Sequence, residues 1–226
     1  KKILDEKKIF FTEGYMYRYH PLIKKLVELI ETKEIGDLIS METSFGINLL
    51  TKKKFFFFKK KKKIDSNNRI FNKKMGGGCI LDLGCYTTSF SLLIASLTKN
   101  INLDDVDLKN IRINNGWTDV EIDAEAELSF NNSFNSRIKS SFMKNLGNKT
   151  VIRGEKGNIT LNNTFLNIGG LELSREKKKI RFNNSNLKNI YSYEIENISK
   201  HILDEKKQRE FPLMSIEETL INMKII

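Results

Sequence analysis

From Pro21 onward, Leu22, Ile23, Leu26, Val27, Leu29 and Ile30 recur at the spacing of one helix face, with Lys24, Lys25, Glu28 and Glu31 turned outward. The spacing predicts an amphipathic helix that Pro21 opens and Gly36 ends. From Asp37 to Ile47 the period drops to two. Ile39, Met41, Thr43, Phe45 and Ile47 fall on one side, and Ser40, Glu42, Ser44 and Gly46 on the other, as in a half-buried strand. A polar loop, 65–74, precedes Gly76-Gly77-Gly78, after which a nearly unbroken apolar run predicts a central helix reaching Thr98. Beyond Asp104 the pattern becomes that of strands. Val106–Asn114 is one. Glu121–Phe130 and Phe134–Phe142 alternate cleanly around Asn131-Asn132-Ser133 and form a hairpin. A second hairpin joins 149–153 to 158–161, a third joins 164–168 to 171–175, and 179–182 extends it. Successive hairpins imply a mostly antiparallel sheet. Two helices close the chain: one over 190–203, with Ile190, Tyr193, Ile195, Ile198 and Ile202 on one side, and one opened by the capping box Ser215-Ile216-Glu217-Glu218.

The ends change the picture of domain organisation. Residues 1–8 read as the last turns of a helix and Ile9–Thr12 as a short strand, the tail of an αβ unit. The first residue is Lys1, and the last predicted helix is still running at Ile226, so the chain reads as a piece of a longer protein.

With 39% hydrophobic and 30% charged residues, the composition is that of a globular domain with its own core. No run is expected to span a membrane, and the lysine-rich opening is no secretory leader. The formal net charge of +11 invites a nucleic-acid role. Its distribution argues against one, because eight lysines fall in residues 52–63 around four consecutive phenylalanines. This segment has no period and is assigned as a low-complexity loop. The two cysteines, Cys79 and Cys85, are badly spaced for a disulfide or a zinc site and are expected as free thiols of a cytoplasmic protein.

Candidate chemistry gathers in the central helix. Asp82 and Tyr86 stand four residues apart and share a face of a helix. A carboxylate in so apolar a run needs a partner or a function, and a phenol beside it can exchange a proton. Asp82 could equally bond a backbone group at the glycine turn. The three glycines do not match G-x-G-x-x-G, so they are read as close backbone approach rather than a dinucleotide loop. Tyr17, Arg18 and His20 stand between a predicted strand and helix, where open α/β sheets place ligand contacts; a packed aromatic corner with Arg18 in a salt bridge is the alternative. Arg69 is either a substrate contact or one half of a loop salt bridge.

Taken together, Glu13-Gly14-Tyr15-Met16-Tyr17-Arg18-Tyr19-His20-Pro21, Glu34-Ile35-Gly36, Arg69 ahead of the glycines, Asp82-Leu83-Gly84-Cys85-Tyr86, and Ser215-Ile216-Glu217-Glu218-Thr219-Leu220 with Asn222-Met223 resemble the glucose–fructose oxidoreductase / inositol dehydrogenase / MocA family. Within it the chain is most similar to the dihydrodiol and xylose dehydrogenase branch, which carries Tyr where inositol dehydrogenases carry His. The resemblance implies an α+β fold: an open-faced, mostly antiparallel sheet with helices on one face over 15–226, preceded in 1–14 by the last helix and strand of a Rossmann domain. It implies an NAD(P)-dependent dehydrogenase acting on a sugar, polyol or diol, with NAD or NADP held mainly by a domain absent from this sequence, and a homo-oligomer formed through the open sheet face. Tyr86 is implied as general acid/base, Asp82 as its partner, and Tyr17, Arg18, Phe45 and Arg69 as pocket residues. The family's Glu-Lys-Pro motif, which brings its catalytic lysine, is absent. The competing function is a non-enzymatic, sheet-mediated interaction domain.

Overall fold

The computed structural model describes residues 1–7, 9–54, 58–61, 65–98, 101–131, 133–166, 168–176, 178–184, 189–204 and 211–226. In chain order the elements are α1 (Lys2–Lys7), α2 (Pro21–Glu31), β1 (Leu38–Gly46), β2 (Thr51–Lys54), β3 (Phe58–Lys61), α3 (Cys85–Ser96), β4 (Val106–Asn115), β5 (Glu121–Phe130), β6 (Phe134–Ser141), β7 (Thr150–Gly154), β8 (Gly157–Asn162), β9 (Gly170–Arg175), β10 (Lys178–Phe182), α4 (Ile190–Leu203) and α5 (Ile216–Ile225). Eight strands form one sheet in the order β10-β9-β8-β7-β1-β6-β5-β4. Only the β1–β6 pair is parallel; every other neighbour is antiparallel. The fold is the expected α+β type.

β1 is first in sequence yet central in the sheet, and Met41, Thr43 and Phe45 are buried on its helix side. Its face switches at Leu38, because a bulge against β7 between Leu38 and Ser40 leaves Ile39 exposed, not inward as the alternation predicted. α3 lies across β1 and β6 with α5 beside it, and is buried from Thr87 to Ala95. A helix covered all round shows no amphipathic stripe, which is why its sequence reads as a plain apolar run. Lys73–Ser96 is by length and composition apolar enough to cross a membrane, contrary to expectation, but 72% of its most apolar window is buried within the domain. Two of its hydroxyls are satisfied locally: Thr87 donates to the Gly84 carbonyl, and Ser91 to Thr87 O while also bonding Ser136. The opposite sheet face is open and polar, with ion pairs Arg153–Glu42, Arg137–Glu125 and Arg181–Glu172.

Several boundaries move. Ile9–Thr12 joins neither sheet, because Phe10 is spent packing on His201 of α4. α2 stops at Glu31, where the Thr32 N–H and hydroxyl both donate to the Glu28 carbonyl, and Gly36 makes the later left-handed turn. In the low-complexity segment, residues 55–57 and 62–63 lie outside the described residues. The flanking backbone, Thr51–Lys54 and Phe58–Lys61, pairs antiparallel as β2 and β3. Thr164, Phe165 and Leu166 form a turn where the pattern predicted a strand: β9 pairs with β8, and Phe165 is buried in the core. α4 buries Tyr193 and His201 and leaves Ile195 and Ile202 exposed, because it meets the body through the short turn Met16–Tyr19 and not through the sheet.

Candidate active site

The central helix does not begin as a regular α-helix. Gly76 and Gly78 take positive φ, Asp82 N–H bonds back to Gly78 O, and Ile80–Gly84 form a π-turn in which Cys85 N–H reaches Ile80 O. Glycine is required here. A Cβ on Gly77 would meet Arg69 O at 2.7 Å and Asn72 N at 2.8 Å, and one on Gly78 would collide with the Glu121 carboxylate. These glycines are packed by protein, and an acidic side chain stands over them, so they form no phosphate cradle. π-turns cluster at functional sites because they re-aim the side chains they carry.

Here the turn parts the two candidate residues. Asp82 points toward the loop and accepts from Arg69 Nη2 at 2.6 Å. Tyr86 packs inward. Its ring meets Tyr15 edge-on at 5.1 Å, Phe45 at 5.4 Å and Phe165 at 5.9 Å, with Tyr17 tilted at 6.4 Å. Asp82 and Tyr86 share no hydrogen bond, but the carboxylate lies close enough to act on the phenol. Burial pushes the Tyr86 hydroxyl up to about 12, and Cys85, Tyr191, Asp82 and Glu194 all push the same way. Cys85 is itself raised to about 11, chiefly by burial, against the lowering effect of a hydrogen bond with Tyr15.

The neighbouring tyrosines are engaged. Tyr15 accepts from Asn222 Nδ2 at 2.8 Å, and Tyr17 bonds Ser89 Oγ at 2.8 Å. Among the described residues the Tyr86 hydroxyl has no hydrogen-bond partner, although its ring is held on four sides. Tyr17 and Phe45, expected to line a pocket, are 0% and 2% exposed, and their rings pack against that of Tyr86. Arg18 is elsewhere. Its Nε donates to Pro212 O and its Nη2 to Leu213 O and Glu218 Oε1, so it ties the Met16–Tyr19 turn to α5. Arg69 takes the salt-bridge alternative. Two cavities stand out, of about 150 and 690 Å³, and neither is lined by Tyr86 or Asp82. The site is a half-open rim.

His20 is a packed residue. Its Nδ1 accepts from Leu22 N–H at 3.2 Å as the N-cap of α2, and its ring stands edge-on to Tyr193. Burial lowers it to about 4. The unfolded chain takes up this proton near pH 6.5 and the folded chain only near 4, so the stability is full above about 6.5 and drains away as pH falls toward 4. Urea unfolding should show a loss on the order of 3 kcal/mol across that window. A His20→Asn variant, which keeps a capping oxygen, should lack that part of the slope; an unchanged slope would contradict the assignment.

The contributions of Tyr15 and Cys85 were visible in the motif that holds them, though not as neighbours of Tyr86. Phe165, from a misassigned strand, and Glu194, from α4, carried no local signal.

The sequence profile of the GFO/IDH/MocA C-terminal domain matches residues 23–160. The chain belongs to the GFO/IDH/MocA family. Trans-1,2-dihydrobenzene-1,2-diol dehydrogenase of Xenopus tropicalis is 24% identical over 220 residues, covering 93% of this chain and 59% of the relative. D-xylose 1-dehydrogenase (NADP(+)) 2 of Haloferax volcanii is 24% identical over 130 residues, 58% of this chain and 34% of the relative. Among solved structures, a 3-ketoreductase from Actinomadura kijaniata with NADP and TDP-benzene superposes with a TM-score of 0.74 at 18% identity, over 98% of this chain and 62% of that one. An aldose-aldose oxidoreductase from Caulobacter crescentus complexed with glycerol gives 0.75 at 15%, over 98% and 61%. The GFO/IDH/MocA chain described here thus spans about 59% of the length of the dihydrodiol dehydrogenase it matches.

Proposed function

We propose that this chain is the substrate side of an NAD(P)-dependent oxidoreductase that acts on a carbinol or carbonyl carbon of a sugar, polyol or diol. The observation that carries the reading is the Tyr86 hydroxyl: unpartnered among the described residues, on a ring clamped by Tyr15, Tyr17, Phe45 and Phe165. A phenol held rigidly at a rim, with its proton uncommitted, suits proton transfer to or from a substrate hydroxyl. The two dehydrogenases that match, one on a dihydrodiol and one on xylose, support the substrate class. Solved forms of the ketoreductase include lysine and tyrosine variants, which agrees with a tyrosine working beside a lysine.

NAD(P) would supply the hydride acceptor or donor. The residues here fit the substrate side and not the nucleotide side, since the glycine run is filled by Asn72 and Glu121. Tyr86 would pass the hydroxyl proton. Asp82, steadied by Arg69, would orient the substrate at the rim, and Tyr17 and Phe45 would keep the phenol ring in place. Tyr86 near 12 is too weak an acid to ionise at neutral pH, and every charge that raises it is on this chain. A cation from another part of the protein must lower it, which is why residues 1–226 alone should not turn over. Residues 1–14 are read as the tail of the cofactor domain, and a second copy is placed on the open, ion-paired sheet face.

The protein together with its nucleotide-binding part, offered aldoses, polyols and trans-dihydrodiols with NAD or NADP, should reduce nicotinamide with at least one of them. Residues 1–226 alone should show neither reduction nor nicotinamide binding by calorimetry. Failure with every such alcohol would remove the reading, and nicotinamide binding to the isolated chain would remove the division of labour.

A further inference from the structure

α4 packs on the Met16–Tyr19 turn, and its first two turns border the rim at Tyr86. Tyr191 and Glu194 stand three residues apart on one face of that helix, and both lie within electrostatic reach of the Tyr86 hydroxyl. Gly14 fixes where the carboxylate rests. A Cβ on Gly14 would stand 3.3 Å from Glu194 Oε1, so the carboxylate lies over the backbone just ahead of Tyr15, whose ring meets Tyr86 edge-on at 5.1 Å.

Nothing on the chain uses this carboxylate. Among the described residues Glu194 makes no hydrogen bond and no ion pair, and burial without a compensating donor raises its carboxyl above the ordinary glutamate range. Asp82, the other candidate carboxylate of the rim, has Arg69. Lys24, a cation that reaches α4, donates to Asn197 instead. The neighbours of Glu194 one turn away on its own helix are Ile190 and Ile198, which offer it no donor, and it stands past the first turn, where the helix dipole would favour an acid. Oε1 is buried against Gly14, but Oε2 is not buried, and the residue as a whole is half-buried. A partly desolvated carboxylate without a partner costs the fold stability. Its open oxygen is ready for a donor that comes from outside the chain. We propose that Glu194 is a specificity-determining residue of the oxidoreductase site: Oε2 accepts a hydrogen bond from a second hydroxyl of the substrate while Tyr86 serves the first, so the site takes diols and polyhydroxy compounds in preference to simple alcohols. The assignment rests on the oxidoreductase reading and narrows its substrate class.

The test uses the protein with its nucleotide-binding part and the aldose, polyol or trans-dihydrodiol that it oxidises best. Glu194→Leu should raise KM for that alcohol about tenfold or more and leave kcat within about twofold, because a hydrogen bond to a charged group is lost without touching the proton transfer. Glu194→Gln, which keeps an acceptor oxygen, should retain part of the affinity. Against the same alcohol, trans-cyclohexane-1,2-diol should compete about tenfold more tightly than cyclohexanol in the parent, and the two should compete equally in Glu194→Leu. Neither variant should lower the midpoint of urea unfolding, since Glu194 has no partner to lose; a carboxylate kept for the fold predicts the opposite. An unchanged KM, equal competition by the diol and the mono-alcohol in the parent, or a KM change that comes with a loss of stability would each overturn the role of Glu194 while leaving the oxidoreductase reading intact. Failure of the parent on every alcohol would overturn both.

Discussion

Replacing Tyr86 by Phe should lower kcat by at least about 100-fold in the protein that carries both halves of the site, with the cofactor Kd changed by less than about twofold. The geometry makes this substitution unusually clean. The Tyr86 ring supplies the contacts with Tyr15, Tyr17, Phe45 and Phe165, and Phe keeps every one of them. The hydroxyl has no partner among the described residues, so its loss breaks no hydrogen bond and strands no donor. Stability should shift by less than about 1 kcal/mol. A tyrosine that merely packs predicts the same stability and unchanged turnover; a proton-transfer tyrosine predicts lost turnover at the same stability. The pH profile adds an independent readout. The residual activity of Tyr86→Phe should lose the limb that the phenol's ionisation imposes on the parent. Wild-type kcat in the variant would refute the role.

The second large effect is on stability. Removing the Glu218 carboxylate by Glu218→Ala should destabilise the fold by about 3 kcal/mol or more, measured by chemical denaturation. Arg18 is 2% exposed, and Glu218 is the carboxylate that faces its guanidinium, at 3.0 Å. Without it a buried cation keeps the Pro212 and Leu213 carbonyls but no carboxylate among the described residues. The same carboxylate accepts from Ser215 N–H in the capping box of α5, so the helix start is loosened as well. Glu218→Gln, which keeps hydrogen-bonding atoms but not the charge, should cost markedly less. A loss under about 1 kcal/mol for the alanine variant would mean that Arg18 reaches solvent by rearrangement and that the pair is not the clamp between the Met16–Tyr19 turn and α5.

This pair shows how differently two neighbouring positions in one motif can be used. Tyr17 and Arg18 are adjacent, yet Tyr17 turns toward Ser89 and the aromatic floor of the site, while Arg18 turns toward α5, nearly 200 positions away in sequence. Nothing in the local pattern distinguishes them, since both precede the same proline.

What the sequence determined by itself was whatever depends on short-range repetition. Alternation specified the β5–β6 and β7–β8 hairpins, helical spacing specified α2, and Ser215 with Glu218 specified the start of α5. The glycine run and Tyr86 also stood out, because a left-handed turn needs glycine and a phenol is conspicuous in an apolar helix. Only the tertiary structure decided how these parts meet. A π-turn depends on which carbonyl an amide reaches, which no periodicity encodes, and it sends Asp82 out to Arg69 while Tyr86 turns in. Phe165 joins the site from a turn between strands. Thr87 donates to the Gly84 carbonyl, while the adjacent Thr88 Oγ1 has no hydrogen-bond partner among the described residues. Each of these is a competition between neighbours for one contact, and its outcome exists only once the sheet has closed against α3.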